Sequence, residues 1–196
     1  MSSVVCDISM SLDGYTAGPN VRVGNGMGDN GIRLHDWIFD AKTDTDAAIA
    51  DEKFASTGAV VIGKRMFDVG FELWGDPPPF RKPVFVVTHE KRDPVPMKGG
   101  TTYNFVMDGI EAALELARAA AGDKNVGIWG GANIIRQYLK AGLLDEMHIQ
   151  LIPILLGDGI RLFESLDSDG IKLRKTSSID TPSATHFRFE VVKGRT

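Results

Sequence analysis

Cysteine is almost absent from this chain, and several kinds of chemistry are absent with it. Cys6 is the single cysteine among 196 residues, so no internal disulfide, dithiol redox centre or cysteine-rich zinc site can be built. The four histidines show no H-x-H or H-E-x-x-H spacing, so a histidine metal site is not indicated either. The sequence therefore predicts a protein of the reducing cytoplasm that has no metal centre.

The sequence also lacks strong charge bias and long apolar runs. Its net charge is −4, with both signs interspersed, which argues against nucleic acid or an anionic membrane as a partner. No apolar run approaches the roughly 20 residues of a membrane span, and the first ten residues do not resemble a signal peptide. The hydrophobic content of 43% is ordinary for a globular protein. The length favours one domain over residues 1–196.

Buried strands and helices are predicted to alternate through the middle of the chain. The segments "GAVVIGKRMFD", "KPVFVVTHEKRD" and "NVGIW" contain apolar runs typical of buried strands, whereas "DGIEAALELARAAAGDK" and "ANIIRQYLKAG" have helical periodicity. Nearer the C-terminus, "DEMHIQLIPIL" and "THFRFEVV" alternate in a way typical of antiparallel strands with one exposed face. We predict an α/β fold with a mixed, mostly parallel sheet, antiparallel C-terminal strands and helices on both faces.

One predicted strand ends at Gly63, and two basic residues, Lys64 and Arg65, follow it at the start of a helix. Two cations at the start of a helix oppose the helix dipole, so an anionic ligand would explain them, and a solvated basic pair is the alternative. The segment "GAVVIGKR" has the spacing of a P-loop, but its apolar residues belong to a strand. Arg65 also occupies the position of the required hydroxyl residue, so a P-loop is excluded.

Two further strand ends favour the same kind of ligand. Thr88, His89 and Arg92 offer a hydroxyl, an imidazole and a guanidinium suited to a ribose or a 2′-phosphate, and a charged turn is the alternative. Gly130 and Gly131 permit close backbone approach where a helix begins, and a tight turn is the alternative. The G-x-G-x-x-G fingerprint is absent. Three such ends in one chain indicate a nucleotide cofactor.

Sequence motifs along nearly the whole chain resemble the reductase domain of the bifunctional riboflavin-biosynthesis deaminase–reductase, which has a dihydrofolate-reductase-like fold. The segment "MSLDGYTAG" is similar to the S-L-D-G-x-T-A signature of that family, and "VVIGKRMF" is similar to the strand–glycine–basic segment of the fold. The stretch "VGIWGGANIIRQYLKAGLLDEMHIQLIPILLGDGIRLF" is similar to the family's Gly-Gly helix, L-x-D-E and P-x-x-L-G-x-G segments, and it is the most specific part.

This resemblance implies a three-layer α/β/α fold, an NADPH-dependent reductase, a homodimer and a cis peptide between the two glycines. Carried over by position, it implies that the pyrophosphate and nicotinamide contact Gly130, Gly131, Ala132, Asn133 and Ile134. The phosphates would contact Gly63, Lys64, Arg65 and Met66, and the adenosine end would contact Thr88, His89 and Arg92. The nicotinamide would be bordered by Met10, Ala17 and Gly18. The glycine-rich residues 19–33, read as a long loop whose "GNGMG" supplies flexibility, would form a mobile lid.

The proton donor is left open between two carboxylates. Asp36 lies beside Trp37, where dihydrofolate reductases carry an acid on the first helix, and Asp13 is its rival; a helix N-terminal carboxylate is the alternative role for Asp36. If Trp37 is aligned with the family's tryptophan, Leu34 stands at the acid position, which argues against folate reduction. The predicted function is reduction of a 5-amino-6-(5-phosphoribosylamino)uracil-like substrate. A pterin reductase and a non-catalytic nucleotide-binding module are the alternatives.

Overall fold

A large mixed sheet with helices packed on it forms the centre of the computed structural model, which describes residues 2–40, 42–166 and 170–193. The strands are β1 (Val4–Ser11), β2 (Tyr15–Ala17), β3 (Thr57–Gly63), β4 (Val84–Val87), β5 (Val95–Pro96), β6 (Thr102–Val106), β7 (Asn125–Gly130), β8 (Glu146–Ile152), β9 (Ile160–Arg161), β10 (Lys172–Asp180) and β11 (Thr185–Val192). The helices are α1 (Asp36–Phe39), α2 (Asp44–Ser56), α3 (Lys64–Trp74), α4 (Gly109–Ala121) and α5 (Ala132–Lys140), with short 3-10 helices at Gly31–His35 and Lys98–Gly100.

The main sheet has nine strands in the order β10-β11-β8-β1-β7-β3-β4-β6-β5. Neighbouring strands from β8 to β6 pair in parallel, whereas β10, β11 and β5 are antiparallel to their neighbours. The strands β2 and β9 form a separate two-stranded sheet. The predicted mixed, mostly parallel sheet with antiparallel C-terminal strands is thus confirmed.

Helices cover both faces of the sheet, as predicted for a three-layer fold. Ala59 and Val61 of β3 belong to the same core as the buried residues of α4 and α5. The alternate residues Val60 and Ile62 belong to a second core with Phe67 of α3. Because successive side chains of a strand point to opposite faces, this division places α4 and α5 on one face and α3 on the other. None of the helices in the described ranges is long and apolar enough to cross a membrane.

The prediction of exposed-face strands near the C-terminus is wrong for Gln150 and His186, whereas the side chains of Arg188 and Glu190 on β11 are partly exposed. β8 pairs in parallel with β1 as well as antiparallel with β11, so it lies inside the sheet. Gln150 of β8 and His186 of β11 are only 2% and 4% exposed. Their alternation with apolar residues does not mark a face in solvent, because the polar side chains are covered by the protein and make contacts there.

A buried ion pair lies on this polar face of the sheet. β1 carries Asp7, Ser9 and Ser11, all buried, on the side opposite to the core residues Val4 and Cys6. Lys53 of α2 places its Nζ 2.7 Å from Asp7 Oδ1, and the lysine side chain is itself only 18% exposed. Burial alone would raise the pKa of Asp7, but the charge of Lys53 and the hydrogen bonds from His148 and Lys53 hold it below its usual value. α2 is therefore joined by charge to β1, a strand inside the sheet.

A second buried carboxylate fixes the start of α2. Asp46 and Thr43 form a capping box, in which the Thr43 hydroxyl accepts from the Asp46 N–H and the Asp46 carboxylate accepts from the Thr43 N–H. The carboxylate also accepts from Thr181 Oγ1 at 2.9 Å and contacts His186 Nε2 at 2.8 Å. These contacts join the amino end of α2 to the β10–β11 hairpin.

We expect Asp46 to make the free energy of unfolding depend on acid pH. Burial alone would raise its pKa, but the hydrogen bonds from Thr43, His186 and Thr181 lower the pKa to about 2. Because the folded pKa is depressed, the stabilisation is complete above the unfolded value of about 4 and is lost as the pH falls towards about 2. Urea titrations from pH 5 to pH 2 should show a smaller acid loss in Asp46→Asn than in the wild type.

The exposed Asp51 on the same helix is the matched control. Asp51→Asn should leave the acid loss of stability at its wild-type size. An Asp46→Asn protein whose unfolding free energy falls as steeply as that of the wild type would contradict the role given to the buried carboxylate.

Candidate active site

Parallel pairing places the carboxyl ends of several strands at one edge of the sheet. β7, β3 and β4 are consecutive neighbours in the sheet, and they end at Gly130, Gly63 and Val87. The three strand ends that the sequence predicted as nucleotide contacts therefore lie side by side. In open α/β sheets this edge is where ligands bind.

Two helices begin at this edge with glycine and without a side-chain cap. Gly63 is the N-cap residue of α3 and Gly131 is the N-cap residue of α5, and neither helix start receives a side-chain hydrogen bond. The first N–H groups of a helix need acceptors, and an anion is a suitable one. α2, in contrast, has its complete capping box. The edge therefore carries two helix N-termini with the character of an anion site.

The two glycine junctions touch each other. A Cβ atom built on Gly63 would lie 2.7 Å from Ile134 Cγ1, and one built on Gly130 would lie 3.2 Å from Met66 Sδ. Gly63 must therefore stay without a side chain for α5 to approach β3. The peptide between Gly130 and Gly131 is cis, as the resemblance implied. A Cβ on Gly131 would meet no protein atom within 4 Å, so open space lies in front of this residue.

At the start of α3 Arg65 is exposed and Lys64 is half-buried, and both have contacts within the protein. Lys64 Nζ lies 2.6 Å from Asp68 and 3.5 Å from Glu90, so the basic pair is joined to the segment after β4. The hydrogen bond with Asp68, together with the charges of Asp68 and Glu90, raises the pKa of Lys64. Arg65 Nη2 donates to the carbonyl oxygen of Val21 at 3.3 Å, which links α3 to the 19–33 loop.

The residues after β4 are divided between two environments. Thr88 is buried, and its Oγ1 accepts a hydrogen bond from the N–H of Glu90. His89 is exposed. The guanidinium carbon of Arg92 lies over the rings of Phe67 and Phe105, at 5.1 Å and 4.9 Å from their centroids. Arg92 thus packs against aromatic residues of α3 and β6.

The remaining predicted cofactor residues lie on α5, on β1 and at the end of β2. Ala132 and Ile134 are buried in the first turn of α5, and Asn133 between them is exposed and accepts from Gln137 Nε2. Met10, near the carboxyl end of β1, packs against the core that contains Ile134. Ala17 ends β2, Gly18 follows it, and both are buried.

Backbone packing between glycines anchors the predicted lid. A Cβ on Gly18 would lie 2.0 Å from the carbonyl oxygen of Asp29, one on Gly28 would lie 2.3 Å from that of Gly18, and one on Gly159 would lie 2.1 Å from that of Ala17. These three glycines form a glycine junction between the 19–33 loop, β2 and the turn before β9. Gly28 is therefore needed for close packing, which the sequence interpretation of "GNGMG" as a flexible element did not include.

The two candidate acids lie in different settings. The Asp13 carboxylate accepts from Ser11 Oγ at 2.6 Å and from the N–H of Gly157 at 2.7 Å, and it also accepts from the N–H of Leu156. The hydrogen bond from Ser11, with those from the two backbone N–H groups, lowers its pKa. Asp13 thus holds the 155–159 turn as a carboxylate. Asp36 opens α1 and is partly exposed.

Trp37 and Leu34 are both core residues of the α1 region. Trp37 is 2% exposed, and its Nε1 donates to Ser9 Oγ at 2.9 Å. Leu34 is fully buried in the same small core. The position that an alignment through Trp37 gives to the acid of dihydrofolate reductases is therefore filled by an apolar, buried side chain.

Sequence reasoning missed the contact between Tyr15 and Arg161. The Arg161 guanidinium carbon lies 4.3 Å from the centroid of the Tyr15 ring, and its Nη2 donates to Tyr15 Oη at 2.7 Å. Tyr15 lies in the segment "MSLDGYTAG" and Arg161 lies in the segment "LGDGIRLF". The pairing of β2 with β9 brings the two residues together. Over the described ranges of the chain, no group of histidine, cysteine, aspartate and glutamate side chains is placed to hold a metal ion.

Comparison with known proteins places this architecture in a family. The model of the RibD C-terminal domain matches residues 2–187. This chain belongs to the RibD C-terminal domain family. Membership of this reductase family implies an oxidoreductase that uses a nicotinamide cofactor. The family was the one expected from "SLDG", the paired glycines and the L-G-x-G segment.

Solved and curated relatives agree with the RibD C-terminal fold. A protein from Shewanella sp. PV-4, provisionally assigned to riboflavin biosynthesis, has 25% identity and a TM-score of 0.72, with coverage of 97% of this chain and 99% of the other. The Thermotoga maritima deaminase/5-amino-6-(5-phosphoribosylamino)uracil reductase has 14% identity and a TM-score of 0.64, and the match covers 97% of this chain and 57% of the larger enzyme. The uncharacterized protein YyaP of Bacillus subtilis is 25% identical over 82% of this chain and 79% of its own length.

Proposed function

We propose that this RibD C-terminal family chain is an NADPH-dependent reductase of the riboflavin-biosynthesis type. Its substrate would be 5-amino-6-(5-phosphoribosylamino)uracil or a close relative. The observation that carries the proposal is the pair of adjacent, glycine-started helices α3 and α5 at the carboxyl edge of the sheet, both without side-chain caps. A dinucleotide offers phosphate oxygens as the missing acceptors for such N–H groups.

The residues present fit this cofactor at each of its parts. The open space in front of Gly131 lets the dinucleotide approach the backbone where α5 begins. At the start of α3, the half-buried Lys64 and the exposed Arg65 would add positive charge beside the phosphates, including the additional phosphate that distinguishes NADPH from NADH. Thr88 and His89 would contact the adenosine end beyond the neighbouring strand. Met10, Ala17 and Gly18 would form the wall next to the nicotinamide.

When bound, the nicotinamide supplies a hydride to the carbon of a C=N or C=O group of the substrate. The chain's own task is to hold the two molecules in contact, to exclude water through the anchored 19–33 loop, and to place a proton donor near the reduced group. The pKa of Asp13 is lowered by its hydrogen bonds, so this residue would act by shaping the 155–159 turn. Asp36, partly exposed at the start of α1, is the carboxylate proposed to deliver the proton.

A binding and turnover experiment separates this function from its alternatives. NADPH should bind with a change in nicotinamide fluorescence, and its oxidation should be faster with 5-amino-6-(5-phosphoribosylamino)uracil than with dihydrofolate. Faster oxidation with dihydrofolate would favour a pterin reductase. Binding without oxidation of either substrate would indicate a nucleotide-binding module, and no binding at millimolar NADPH would refute every version of the proposal.

The basic pair should distinguish NADPH from NADH. We expect Lys64→Ala combined with Arg65→Ala to weaken NADPH binding about tenfold or more, because charge-assisted hydrogen bonds to the additional phosphate are lost. Binding of NADH, which lacks this phosphate, should weaken by less than about threefold. Titrations of nicotinamide fluorescence with both cofactors measure this ratio.

A matched control removes two cations elsewhere. Lys172 and Lys175 lie exposed on the edge strand β10, away from the carboxyl ends of β3 and β7. Their replacement by alanine changes the net charge by the same amount and should leave both affinities unchanged. Equal weakening of NADPH and NADH in the Lys64/Arg65 variant would show that the pair does not recognise the phosphate that separates the two cofactors.

A further inference from the structure

The Asp29 carboxylate connects three other residues of the 19–33 loop. Its Oδ2 accepts from Asn20 Nδ2 at 2.7 Å, and its Oδ1 accepts from Asn25 Nδ2 at 2.9 Å. Arg22 Nη1 lies 3.9 Å from the same Oδ1 and also donates to the carbonyl oxygen of Asn20 at 2.9 Å. The hydrogen bonds from Asn20 and Asn25, with the charge of Arg22, lower the pKa of Asp29. The side chain is therefore ionised at neutral pH, as its two acceptor contacts require.

The backbone of the loop is hydrogen-bonded around this carboxylate. The Asp29 N–H donates to the carbonyl oxygen of Pro19 at 2.8 Å, so the two sides of the loop meet there. Between them, Arg22 and Asn25 exchange two backbone hydrogen bonds. A surface loop whose sides are joined and whose own groups bond to one another is a folded unit of the omega-loop kind.

Polar contacts matter in this unit because it buries little apolar surface. From residue 19 to residue 30, Gly28 is the only buried residue, and Val23 is 66% exposed. Met27 is partly buried and packs against the small core that contains Leu34 and Trp37. Since one partly buried side chain contributes little, the hydrogen bonds of the carboxylate carry much of the loop's structure.

The folded loop lies between β2 and α3. A Cβ on Gly18 would be 2.0 Å from the carbonyl oxygen of Asp29, so the two backbones touch beside the wall proposed for the nicotinamide. On the other side, a Cβ on Gly26 would be 3.3 Å from the carbonyl oxygen of Val69 in α3, and Arg65 donates to the loop's backbone. The shape of the loop therefore determines how it sits over the carboxyl edge of the sheet.

We infer that Asp29 is a positioning residue, which keeps the 19–33 loop in the shape that covers the nicotinamide and the reacting group of the substrate. The inference rests on the proposed function, since that function places the nicotinamide beside Gly18. Asp29 would touch neither molecule. It would act through the loop, because a loop that is already folded pays less conformational entropy when it closes and excludes water.

Hydrogen exchange tests the loop-shaping role without any turnover. Asp29→Asn keeps the size of the side chain but leaves one acceptor oxygen, so the bond from Asn25 should be lost while that from Asn20 stays. Mass spectrometry should show the N–H groups of residues 19–30 exchanging about tenfold faster than in the wild type, and those of β3 and β7 exchanging at the wild-type rate. Unchanged exchange in residues 19–30 would reject the inference whether or not the protein is a reductase.

Exchanging the two side chains supplies the rescue. When Asn25→Asp is combined with Asp29→Asn, the amide at position 29 can donate to the carboxylate at position 25 and still accept from Asn20. Both hydrogen bonds and the net charge of the wild type return, so slow exchange should return as well. Asn25→Asp alone brings two carboxylates together and should loosen the loop at least as much as Asp29→Asn does.

Steady-state kinetics tests the role in the reaction. We expect the kcat of Asp29→Asn to fall about tenfold, because fewer molecules hold the loop in the covering shape, and the exchanged pair should recover most of the loss. The stoichiometry of NADPH binding and the thermal midpoint should stay at their wild-type values, whereas misfolding would lower both with kcat. Asp123→Asn, in the exposed turn between α4 and β7, removes the same charge and should change none of these quantities.

Three further outcomes decide between the inference and the function on which it rests. A wild-type kcat in an Asp29→Asn protein whose loop exchanges faster would overturn the positioning role. Binding of NADPH that does not slow exchange in residues 19–30 of the wild type would overturn it too, because the loop would then not cover the cofactor. Faster exchange in Asp29→Asn, with no NADPH oxidation by the wild type, would reject the proposed reductase and retain Asp29 as the residue that shapes the loop.

Discussion

Lys53→Met should lower the free energy of unfolding by about 3–5 kcal/mol, which is a large part of the stability of an average domain. Methionine keeps an unbranched apolar stem but loses the Nζ that lies 2.7 Å from Asp7 and 4.8 Å from the centroid of the Trp129 ring. Asp7 is 6% exposed, so a buried carboxylate would remain without its main counter-charge. Urea denaturation at neutral pH, analysed by linear extrapolation, measures the change.

Two comparisons separate the charge effect from loss of packing. Asp7→Asn combined with Lys53→Met removes both charges and should recover more than half of the loss, because neutral replacements avoid a lone buried charge. Lys98→Met removes a lysine from the exposed pair with Asp76, where the lysine side chain is 76% exposed, and should cost no more than about 1 kcal/mol.

The stability deficit of the Lys53→Met protein should also depend on pH. Without Lys53, burial should raise the pKa of Asp7, so protonation relieves the penalty and the Lys53→Met protein should approach the wild type as the pH falls. A single variant that is as stable as the double variant, or whose deficit widens in acid, would contradict the role of this ion pair.

Gly131→Val should abolish detectable NADPH binding, a loss of at least about a hundredfold, while the unfolding free energy changes little. A Cβ on Gly131 meets no protein atom within 4 Å, and its φ of −67° is accessible to other residues. The added side chain would occupy the space through which the cofactor is proposed to reach the first turn of α5. Fluorescence titration and thermal melting of the same samples measure the two effects.

Gly170 supplies the control, because a Cβ there also meets nothing within 4 Å. Gly170→Val should bind NADPH as the wild type does. If Gly131→Val keeps its NADPH affinity, the cofactor does not lie against this residue. If Gly131→Val unfolds, the open space in front of Gly131 has another structural use.

The strand ends at Gly63 and Gly130 could be predicted from the sequence because their signal is local. An apolar run shows where a buried strand ends, and a glycine at that point shows that a helix or a ligand comes close. Parallel topology then brings such ends together without further information. The roles given to Lys64, Thr88 and Asp36 towards a cofactor remain predictions, because they concern a molecule outside the chain.

The polar face of β1 and the contact between Tyr15 and Arg161 could not be predicted in the same way. Asp7, Ser9 and Ser11 alternate with apolar residues just as they would on an exposed strand, and only the packing of α2 shows that they are covered. Tyr15 and Arg161 are 146 positions apart, and their pairing depends on how two short strands meet. Local periodicity carries no information about which distant element covers a face.

The glycine junction limits how the proposed lid, residues 19–33, can move. Gly18, Gly28 and Gly159 are in backbone contact, so the 19–33 loop cannot rotate about Gly18 while the turn before β9 stays in place. Opening or closing would require a rigid-body shift of the loop, β2 and β9 together. Such a shift would carry Arg161 with the proposed lid, so the loop and this cation would change position in a single motion.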